Sequence, residues 1–322
     1  MTESRSVVRS IPVPTSVSAE AQQFLDAGLL VGEDSQSPAL DDLDGWRSMI
    51  KTANAGVAAM FDMRTADKQS KIDVISVGDV PVFVVTPEGA ADSDDDGIYF
   101  DIHGGAFTMG YGDACRAMAK FTAEQVQMKT WAVDYRTPPD HPYPAALDDC
   151  VAAYRRLLEV ERPERIVVGG QSAGGNLAAA LILRARDEGL PLPAALVLLT
   201  PEADLTESGD SFATLLGIDP VLTASLAESI ALYAGTHELT DPYLSPLFGD
   251  FSPPFPPTLL QAGTRDLFLS NVVRMHRKMR SAGVEAELHV FEAMPHGGFF
   301  GAPEDEELGE EVRRFVRSRL PT

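Results

Sequence analysis

The chain contains few cysteines. Cys115 and Cys150 are the only two among its 322 residues. Two thiols cannot build a disulfide framework, and they cannot supply a zinc site made of four thiolates. Because disulfides persist mainly in oxidising compartments, we expect two reduced thiols in a cytoplasmic protein.

Positive charge is also scarce. The sequence carries 26 lysine and arginine residues against 48 aspartate and glutamate residues, so its formal net charge is −22 with histidine neutral. The field of such a chain repels polyanions such as DNA, and it repels an anionic membrane surface as well. The charge balance therefore excludes nucleic acid from the expected partners and disfavours anionic substrates.

Long apolar segments are absent. The longest apolar run has seven residues, from Leu177 to Leu183, whereas a helix needs about 20 to span a bilayer. The first 30 residues show no basic start followed by an apolar block, so we expect no secretory signal. Hydrophobic residues nevertheless make up 44% of the chain. The sequence thus indicates a globular protein with a sizeable core and no membrane span.

Two regions of the chain differ from the rest. Residues 1–70 begin with a Pro- and Ser-rich stretch and continue with two segments whose apolar positions have helical spacing. Residues 208–255 are helical and Pro-rich in character and look inserted.

The acidic run 92–96 matches the start of a calcium-binding loop. The twelfth position of that loop is His103 rather than glutamate, so a solvated hairpin loop is favoured.

Elsewhere short strand-like segments alternate with amphipathic helices. The alternating pattern of Ile72–Val85 predicts an antiparallel opening to a sheet. The remainder predicts a mostly parallel sheet covered by helices on both faces, with its working loops at the carboxyl ends of the strands. The predicted strands are Ile98–Ile102, Thr130–Asp134, Arg165–Val168, Ala194–Leu199, Thr258–Gln261 and Glu287–Phe291, and the predicted helices include Ala114–Gln127, Ala145–Val160, Gly175–Asp187 and Leu269–Ala282.

A serine lies where one of these strands meets its helix, in the sequence Gly170-Gln171-Ser172-Ala173-Gly174. Glycines on both sides allow a sharp strand-to-helix turn, which lifts the Ser172 hydroxyl above the sheet. The helix N-terminus there carries a partial positive charge that favours a developing oxyanion. The glycine spacing does not match a dinucleotide-binding fingerprint. Ser172 is therefore a candidate nucleophile.

A serine nucleophile needs a base, and in this architecture the acid and then the histidine follow the serine along the chain. His296 lies just past the last predicted strand, in a flexible Gly-rich loop, and is our candidate base. The other histidines after Ser172 fall in the inserted region, on a helix face and inside a strand, at His237, His276 and His289.

Asp266 is the candidate acid because it follows the strand that precedes the one leading to His296. It could alternatively cap the helix that follows it, a position that aspartate favours. Asp204 and Asp241 are rival acids, but both come before the strand that should deliver this group.

A Gly-rich turn follows the first parallel strand, in His103-Gly104-Gly105-Ala106. Two adjacent glycines allow main-chain N–H groups to approach a substrate oxygen closely. The N–H groups of Gly104 and Gly105 and that of Ala173 are therefore a candidate oxyanion hole. The alternative is a tight turn without a catalytic role. We expect His103 to brace the loop rather than to move protons.

Four ordered blocks resemble the bacterial hormone-sensitive-lipase-like branch (family IV) of the α/β hydrolases. The resemblance extends over roughly residues 70 to 320. The blocks are His103-Gly104-Gly105, Asp134-Tyr135-Arg136 leading through His141-Pro142-Tyr143-Pro144 to Asp149, Gly170-Gln171-Ser172-Ala173-Gly174-Gly175, and Asp241-Pro242 to Ser245-Pro246-Leu247.

The resemblance implies an α/β-hydrolase fold, with a mostly parallel eight-stranded sheet flanked by helices. Residues 1–70 and 208–255 would form a helical cap, and residues 71–207 and 256–322 the catalytic core. It also implies hydrolysis of short- to medium-chain carboxylic esters without metal or cofactor. Dimers are common among such proteins, which makes a homodimer a candidate assembly, but the sequence itself does not reveal the oligomeric state.

Two residues near the candidate nucleophile depart from the usual pattern of that branch. Gln171 stands where aspartate or threonine is usual, and Glu202 where a neutral residue is common. We expect Gln171 and Glu202 to influence the substrate pocket; for Glu202 a surface ion pair is the alternative. A lactone or amide hydrolase with the same triad, and a small-molecule receptor that has lost turnover, remain the competing functions.

Overall fold

A computed structural model of the chain describes residues 10–28, 37–89 and 97–321. The acidic run 92–96 lies outside the described residues. The strands are β1 (Lys71–Val77), β2 (Val80–Thr86), β3 (Ile98–Ile102), β4 (Lys129–Val133), β5 (Ile166–Gln171), β6 (Ala195–Leu199), β7 (Thr258–Gly263) and β8 (Ala286–Phe291). The helices are α1 (Ala19–Ala27), α2 (Leu43–Arg64), α3 (Asp113–Val126), α4 (Ala145–Leu158), α5 (Ala173–Asp187), α6 (Ser211–Thr214), α7 (Ala227–Ala234), α8 (Leu269–Ser281) and α9 (Pro303–Arg319).

The strands form one eight-stranded sheet in the order β1-β2-β4-β3-β5-β6-β7-β8. The first two strands form an antiparallel hairpin, and β2 is also antiparallel to β4. All later pairings are parallel. The predicted fold class, a mostly parallel sheet with an antiparallel opening, is confirmed. Because parallel strands share one direction, the loops that follow β3, β5, β6, β7 and β8 lie at the same edge of the sheet.

The central strands are apolar on both faces because helices cover the sheet from both sides. Successive side chains of a strand point to opposite faces. In β3, Phe100 belongs to the large core shared with α4 and α5, whereas Tyr99 belongs to a second core shared with α9. In β5, Val168 and Val167 divide between the two cores in the same way. The sheet is thus fixed between two helical layers.

The two unusual regions of the sequence pack at the edge of the sheet that carries these loops. Ala21 and Leu25 of α1 are buried in the core that contains Phe299, beyond the end of β8. In the region 208–255, Tyr233 of α7 stacks on Phe107, beyond the end of β3. The division into cap and core segments stays a prediction. Among the described residues, none of the helices combines the length and the apolar character needed to cross a membrane.

Candidate active site

Ser172 forms the turn between β5 and α5. Its backbone has φ 58° and ψ −123°, a strained conformation for a residue with a side chain. Its N–H donates to the carbonyl oxygen of Leu199 at 2.9 Å, which ties the turn to β6. A methyl group at Gly170 would lie 2.3 Å from the Gly174 carbonyl oxygen, and one at Gly174 would lie 1.9 Å from that of Ile102. The turn therefore requires both glycines, and it leaves Ser172 8% exposed.

Asp266 and His296 meet at the ends of β7 and β8. Nδ1 of His296 lies 3.1 Å from Oδ1 of Asp266. Asp266 is fully buried and His296 is 6% exposed. A carboxylate oxygen can only accept a hydrogen bond, so Nδ1 is the donor, and in the neutral imidazole Nε2 carries the lone pair. The ring of Phe268 meets the imidazole edge-on, with the ring centroids 4.8 Å apart. The arrangement provides an oriented imidazole that can accept a proton.

The rival acids and the other candidate histidines are engaged elsewhere. Asp204 accepts hydrogen bonds from Arg274 at 2.6 Å and from Ser208 at 2.7 Å. Asp241 accepts from the N–H of Tyr243. The remaining histidines contact Tyr143, the carbonyl oxygen of Ala286 and the carboxylate of Glu311, for His237, His276 and His289 respectively. Asp266 also accepts from the N–H of Phe268 at 2.9 Å, so it shapes the start of α8 as well.

The Gly-rich turn after β3 lies against Ser172. A methyl group at Gly104 would lie 2.9 Å from the carbonyl oxygen of Gln171 and 3.3 Å from Cβ of Ser172. Gly105 has φ 130°, and a methyl group there would lie 2.2 Å from the carbonyl oxygen of Met109. Ala173 begins α5, where main-chain N–H groups have no partner within the helix. The structure thus brings the three candidate N–H donors to the strand ends around Ser172.

His103 contacts this turn and Tyr135 at the same time. Its ring stacks on that of Tyr135, with centroids 4.0 Å apart, and its Nδ1 donates to the Gly104 carbonyl oxygen at 2.8 Å. Burial lowers the pKa of His103 to about 4, so the ring is neutral at the pH of most enzyme assays. The Tyr135 hydroxyl donates to the His103 carbonyl oxygen at 2.8 Å. These contacts brace the turn.

The two departures from the family pattern both lie next to Ser172. Gln171 precedes it in the chain, whereas Glu202 reaches it through the fold and donates its N–H to the Ser172 carbonyl oxygen at 3.2 Å. Gln171 lines a small cavity of about 50 Å³ together with Gly297 and Leu199. A methyl group at Gly297 would lie 3.0 Å from Nε2 of Gln171, so this side chain reaches the loop of His296. Glu202 is fully buried, which rules out the surface ion pair. Its carboxyl oxygens have no hydrogen-bond partner among the described residues, and burial raises its pKa well above the usual range.

Three possible metal ligands lie behind the Gly-rich turn. A ring nitrogen of His103, Sγ of Cys115 and a carboxylate oxygen of Asp134 all lie within 4.8 Å of one another. Burial raises the pKa of the Cys115 thiol well above its usual value, so the thiol keeps its proton unless a metal ion displaces it. The carboxylate of Asp134 accepts the N–H of Gly112 at 2.8 Å. The thiol in turn donates to the Val133 carbonyl oxygen at 3.7 Å, so two of the three possible ligands already have partners within the fold.

Two buried polar residues at the site are not among those predicted from the sequence. Asn54 of α2 accepts the N–H of Gly110, in the segment after the Gly-rich turn, at 2.7 Å. Asp219, from the region 208–255, accepts the main-chain N–H of His296 at 3.2 Å. Both contacts join segments far apart in the sequence, and no local motif marks either residue.

Comparisons with known proteins agree with this geometry. The model of a family described as having the α/β hydrolase fold matches residues 99–300. An esterase of Acinetobacter venetianus is 36% identical over 232 residues, covering 69% of this chain and 75% of the relative. A carboxylesterase of Mycobacterium tuberculosis is 32% identical over 273 residues, covering 80% and 83%.

Solved structures of esterases share the whole fold. That of the esterase E25 superposes with a TM-score of 0.89 at 32% identity, covering 100% of both chains. A hormone-sensitive lipase from a metagenome library gives a TM-score of 0.80 at 29% identity, covering 94% of this chain and 98% of the other. The chain therefore belongs to the α/β-hydrolase fold family, and within it to the hormone-sensitive-lipase-like carboxylesterases.

Proposed function

We propose that the protein hydrolyses neutral carboxylic esters of short to medium acyl chains through an acyl-enzyme formed on Ser172. The observation that carries the proposal is the buried pair in which His296 Nδ1 donates to Asp266 at 3.1 Å. This bond selects the tautomer whose Nε2 can remove the Ser172 proton. The strained turn and the neighbouring Gly-rich loop supply the other parts that acyl transfer needs.

In the first half-reaction, Ser172 Oγ attacks the ester carbonyl carbon while His296 Nε2 takes the hydroxyl proton. The resulting imidazolium is stabilised by Asp266 and then gives the proton to the departing alcohol oxygen. In the second half-reaction, a water gives a proton to His296 and attacks the acyl carbon. His296 returns that proton to Ser172 Oγ as the carboxylic acid leaves.

The tetrahedral oxyanion of each half-reaction would be held by the N–H groups of Gly104, Gly105 and Ala173. Loss of one such donor costs about 3 kcal/mol of transition-state stabilisation in serine hydrolases where it has been measured. The neutral His103 stays outside proton transfer, because its Nδ1–H is already committed to Gly104. Activity should rise with pH as His296 loses its proton, since only the neutral imidazole is a base.

The substrate range rests on two features. The net charge of −22 opposes the approach of anionic esters. The groups buried near the site include the acids Glu202, Asp219 and Asp266, which cannot form an ion pair with an anionic ester. The acyl-chain range and the ester leaving group come from the resemblance described above. A lactone or an amide would pass through the same first step.

The test has two parts. A fluorophosphonate should label the wild-type protein, and Ser172→Ala should abolish labelling. A panel of p-nitrophenyl esters from acetate to palmitate, with one lactone, should then show the highest kcat/KM for acetate to octanoate. Failure of the folded wild-type protein to label would favour a receptor without turnover. A preference for palmitate or for the lactone would overturn the substrate class but leave the nucleophile in place.

A further inference from the structure

A second buried carboxylate lies beside the His296–Asp266 pair. Asp219 belongs to the region 208–255, in the connection between α6 and α7, and its exposure is 0%. Its Oδ2 accepts two main-chain N–H groups, from Leu267 at 2.9 Å and from His296 at 3.2 Å. Its Oδ1 accepts two more, from Val221 at 2.9 Å and Leu222 at 3.2 Å.

One oxygen atom therefore connects the two loops that carry the proposed acid and base. Leu267 directly follows Asp266 in the chain, and the second donor is the backbone of His296 itself. Each carboxylate oxygen has two acceptor sites, so Asp219 can satisfy all four N–H groups. An asparagine has a single acceptor oxygen, and an alanine has none. The number of donors around Asp219 thus matches an aspartate side chain.

The charge of Asp219 also bears on His296. Two buried carboxylates contact His296: Asp266, in the loop after β7, at its Nδ1, and Asp219 at its main-chain N–H. Burial raises the pKa of Asp219, while the proximity of His296 lowers it. By the same interaction, ionised Asp219 favours the imidazolium that forms when His296 takes a proton.

The segment that carries Asp219 has a separate attachment to the core. Ser211 Oγ donates to the Leu267 carbonyl oxygen at 2.6 Å, and it accepts the N–H of Ser270 at 3.0 Å. The N–H of Ser211 donates to the Ser270 hydroxyl at 2.8 Å. These bonds do not involve Asp219, so we expect the segment to stay docked when Asp219 is replaced.

We infer that Asp219 is a positioning residue: it holds the Asp266 and His296 loops at their working separation and thereby makes the region 208–255 part of the catalytic apparatus. This inference rests on the proposed triad. Its consequence is that movement of this region at Asp219 would disturb the acid–base pair. Substrate must then enter without displacing this point of the region.

The test compares Asp219→Asn with Asp210→Asn, which makes the same charge change at an exposed position of the same segment. Displacements near 1 Å at catalytic groups cost up to about 100-fold in rate. We expect Asp219→Asn to lower kcat between about tenfold and about 100-fold, with KM changed less than about threefold. Labelling by fluorophosphonate should slow in parallel, and Asp210→Asn should behave as wild type.

Two further measurements separate positioning from a general loss of stability. All rates are taken well below the melting temperature of each variant. The acid limb of the kcat/KM profile should move to lower pH in Asp219→Asn, because one negative charge facing His296 is gone. The downfield proton resonance of the His296–Asp266 hydrogen bond should shift or broaden in Asp219→Asn and not in Asp210→Asn.

Wild-type kcat and pH profile in folded Asp219→Asn would overturn the inference. If Asp219→Asn does not fold, Asp219→Glu provides the decision, because it keeps the charge and both acceptor oxygens, while its extra methylene displaces them from the four N–H groups. A threefold or larger fall in kcat with an unchanged acid limb is then expected, and an unchanged kcat overturns the inference. If the wild-type protein itself resists labelling, the proposed triad fails rather than the role of Asp219.

Discussion

Asp101 is a buried acid in β3 that the proposed reaction does not use. Burial raises its pKa to about 7, and a side-chain hydrogen bond with Thr122 acts in the opposite direction. An aspartate in an unfolded chain has a pKa of about 3.9. Between these values the folded protein binds a proton that the unfolded chain has released, so this group lowers stability as pH rises from about 4 to about 7.

Asp101→Asn should remove this pH dependence, because the amide is neutral at every pH and can still accept the Thr122 hydrogen bond. We expect the variant to be more stable than wild type at pH 8, with a smaller difference at pH 5. The slope for one group is at most about 1.4 kcal/mol for each pH unit. Melting temperatures of both proteins between about pH 4.5 and about pH 8 measure this difference in stability. A difference that is constant across this range would contradict the assignment.

A substitution at Gly104 tests the contact between the Gly-rich turn and the nucleophile. Alanine there would place a methyl group 2.9 Å from the Gln171 carbonyl oxygen, so the turn must move away from Ser172. We expect Gly104→Ala to lower kcat by about 10²- to 10³-fold, the range for loss of one oxyanion donor. Steady-state kinetics with p-nitrophenyl butyrate provide the measurement.

Gly56→Ala is the matched control for that substitution. Gly56 lies within α2, and a methyl group there meets no atom within 4 Å. Its kcat should equal that of the wild type, and its stability should rise by roughly 0.5–1 kcal/mol, because alanine favours the helix. Equal activity of both alanine variants would show that Gly104 does not need its close approach.

The candidate catalytic residues named from the sequence share one property: each follows a strand in a pattern that local chemistry restricts. Ser172 lies between glycines that a sharp turn requires, and His296 follows the last strand. Asp219 has no such pattern, because its partners Leu267 and His296 are 48 and 77 residues away. An aspartate that accepts distant main-chain N–H groups looks in sequence like any loop aspartate. Such a residue becomes visible only when the fold is known.

At the scale of elements, α2 supports the Gly-rich turn from the N-terminal region. Asn54 faces inward from this helix with Trp46 and Ile50, and its Oδ1 accepts the buried N–H of Gly110. Gly110 packs on His103, since a methyl group there would lie 2.4 Å from its Nδ1. A helix far from Ser172 in the sequence thus contacts the segment that shapes the proposed oxyanion hole.

Asn54→Ala should lower both stability and activity. The Gly110 N–H would lose its buried acceptor, which costs about 1–3 kcal/mol in the free energy of unfolding. The Gly-rich turn would lose support, so kcat should fall while KM changes little. Denaturant unfolding and steady-state kinetics measure the two effects. Thr52→Ala, at an exposed position of the same helix, should leave kcat unchanged; a fall as large as that of Asn54→Ala would point to the helix as a whole.

Element prediction was strongest where the periodicity was local. The antiparallel hairpin and the strand–helix alternation were predicted from the spacing of apolar residues, with ends that differ from the structure by one or a few residues. Helix α9 has no counterpart among the helices predicted above, although Leu308, Val312 and Phe315 are spaced as on one buried helix face. The strand order could not be derived from spacing alone, because pairing such as that of β3 between β4 and β5 joins distant segments.

At the scale of the whole molecule, the net charge affects which substrates reach the proposed site. The net charge of −22 produces a field that acts over the Debye length, about 30 Å at 0.01 M salt and about 10 Å at 0.1 M. This field exerts no net force on a neutral ester, so it does not change the rate at which neutral esters reach the proposed site. An ester that carries a carboxylate is repelled on approach, and its association rate falls.

Salt should therefore change the selectivity between two matched esters. We expect kcat/KM for p-nitrophenyl butyrate to vary less than about twofold between about 0.01 M and 0.1 M sodium chloride, since no net charge is brought to the protein. For the mono-p-nitrophenyl ester of succinic acid, kcat/KM should rise severalfold over the same range as the repulsion is screened. Sodium sulfate at equal ionic strength should give the same ratio, because screening depends on ionic strength. A ratio that stays constant or falls with salt would mean that local groups at the site, and not the charge of the whole molecule, set the preference.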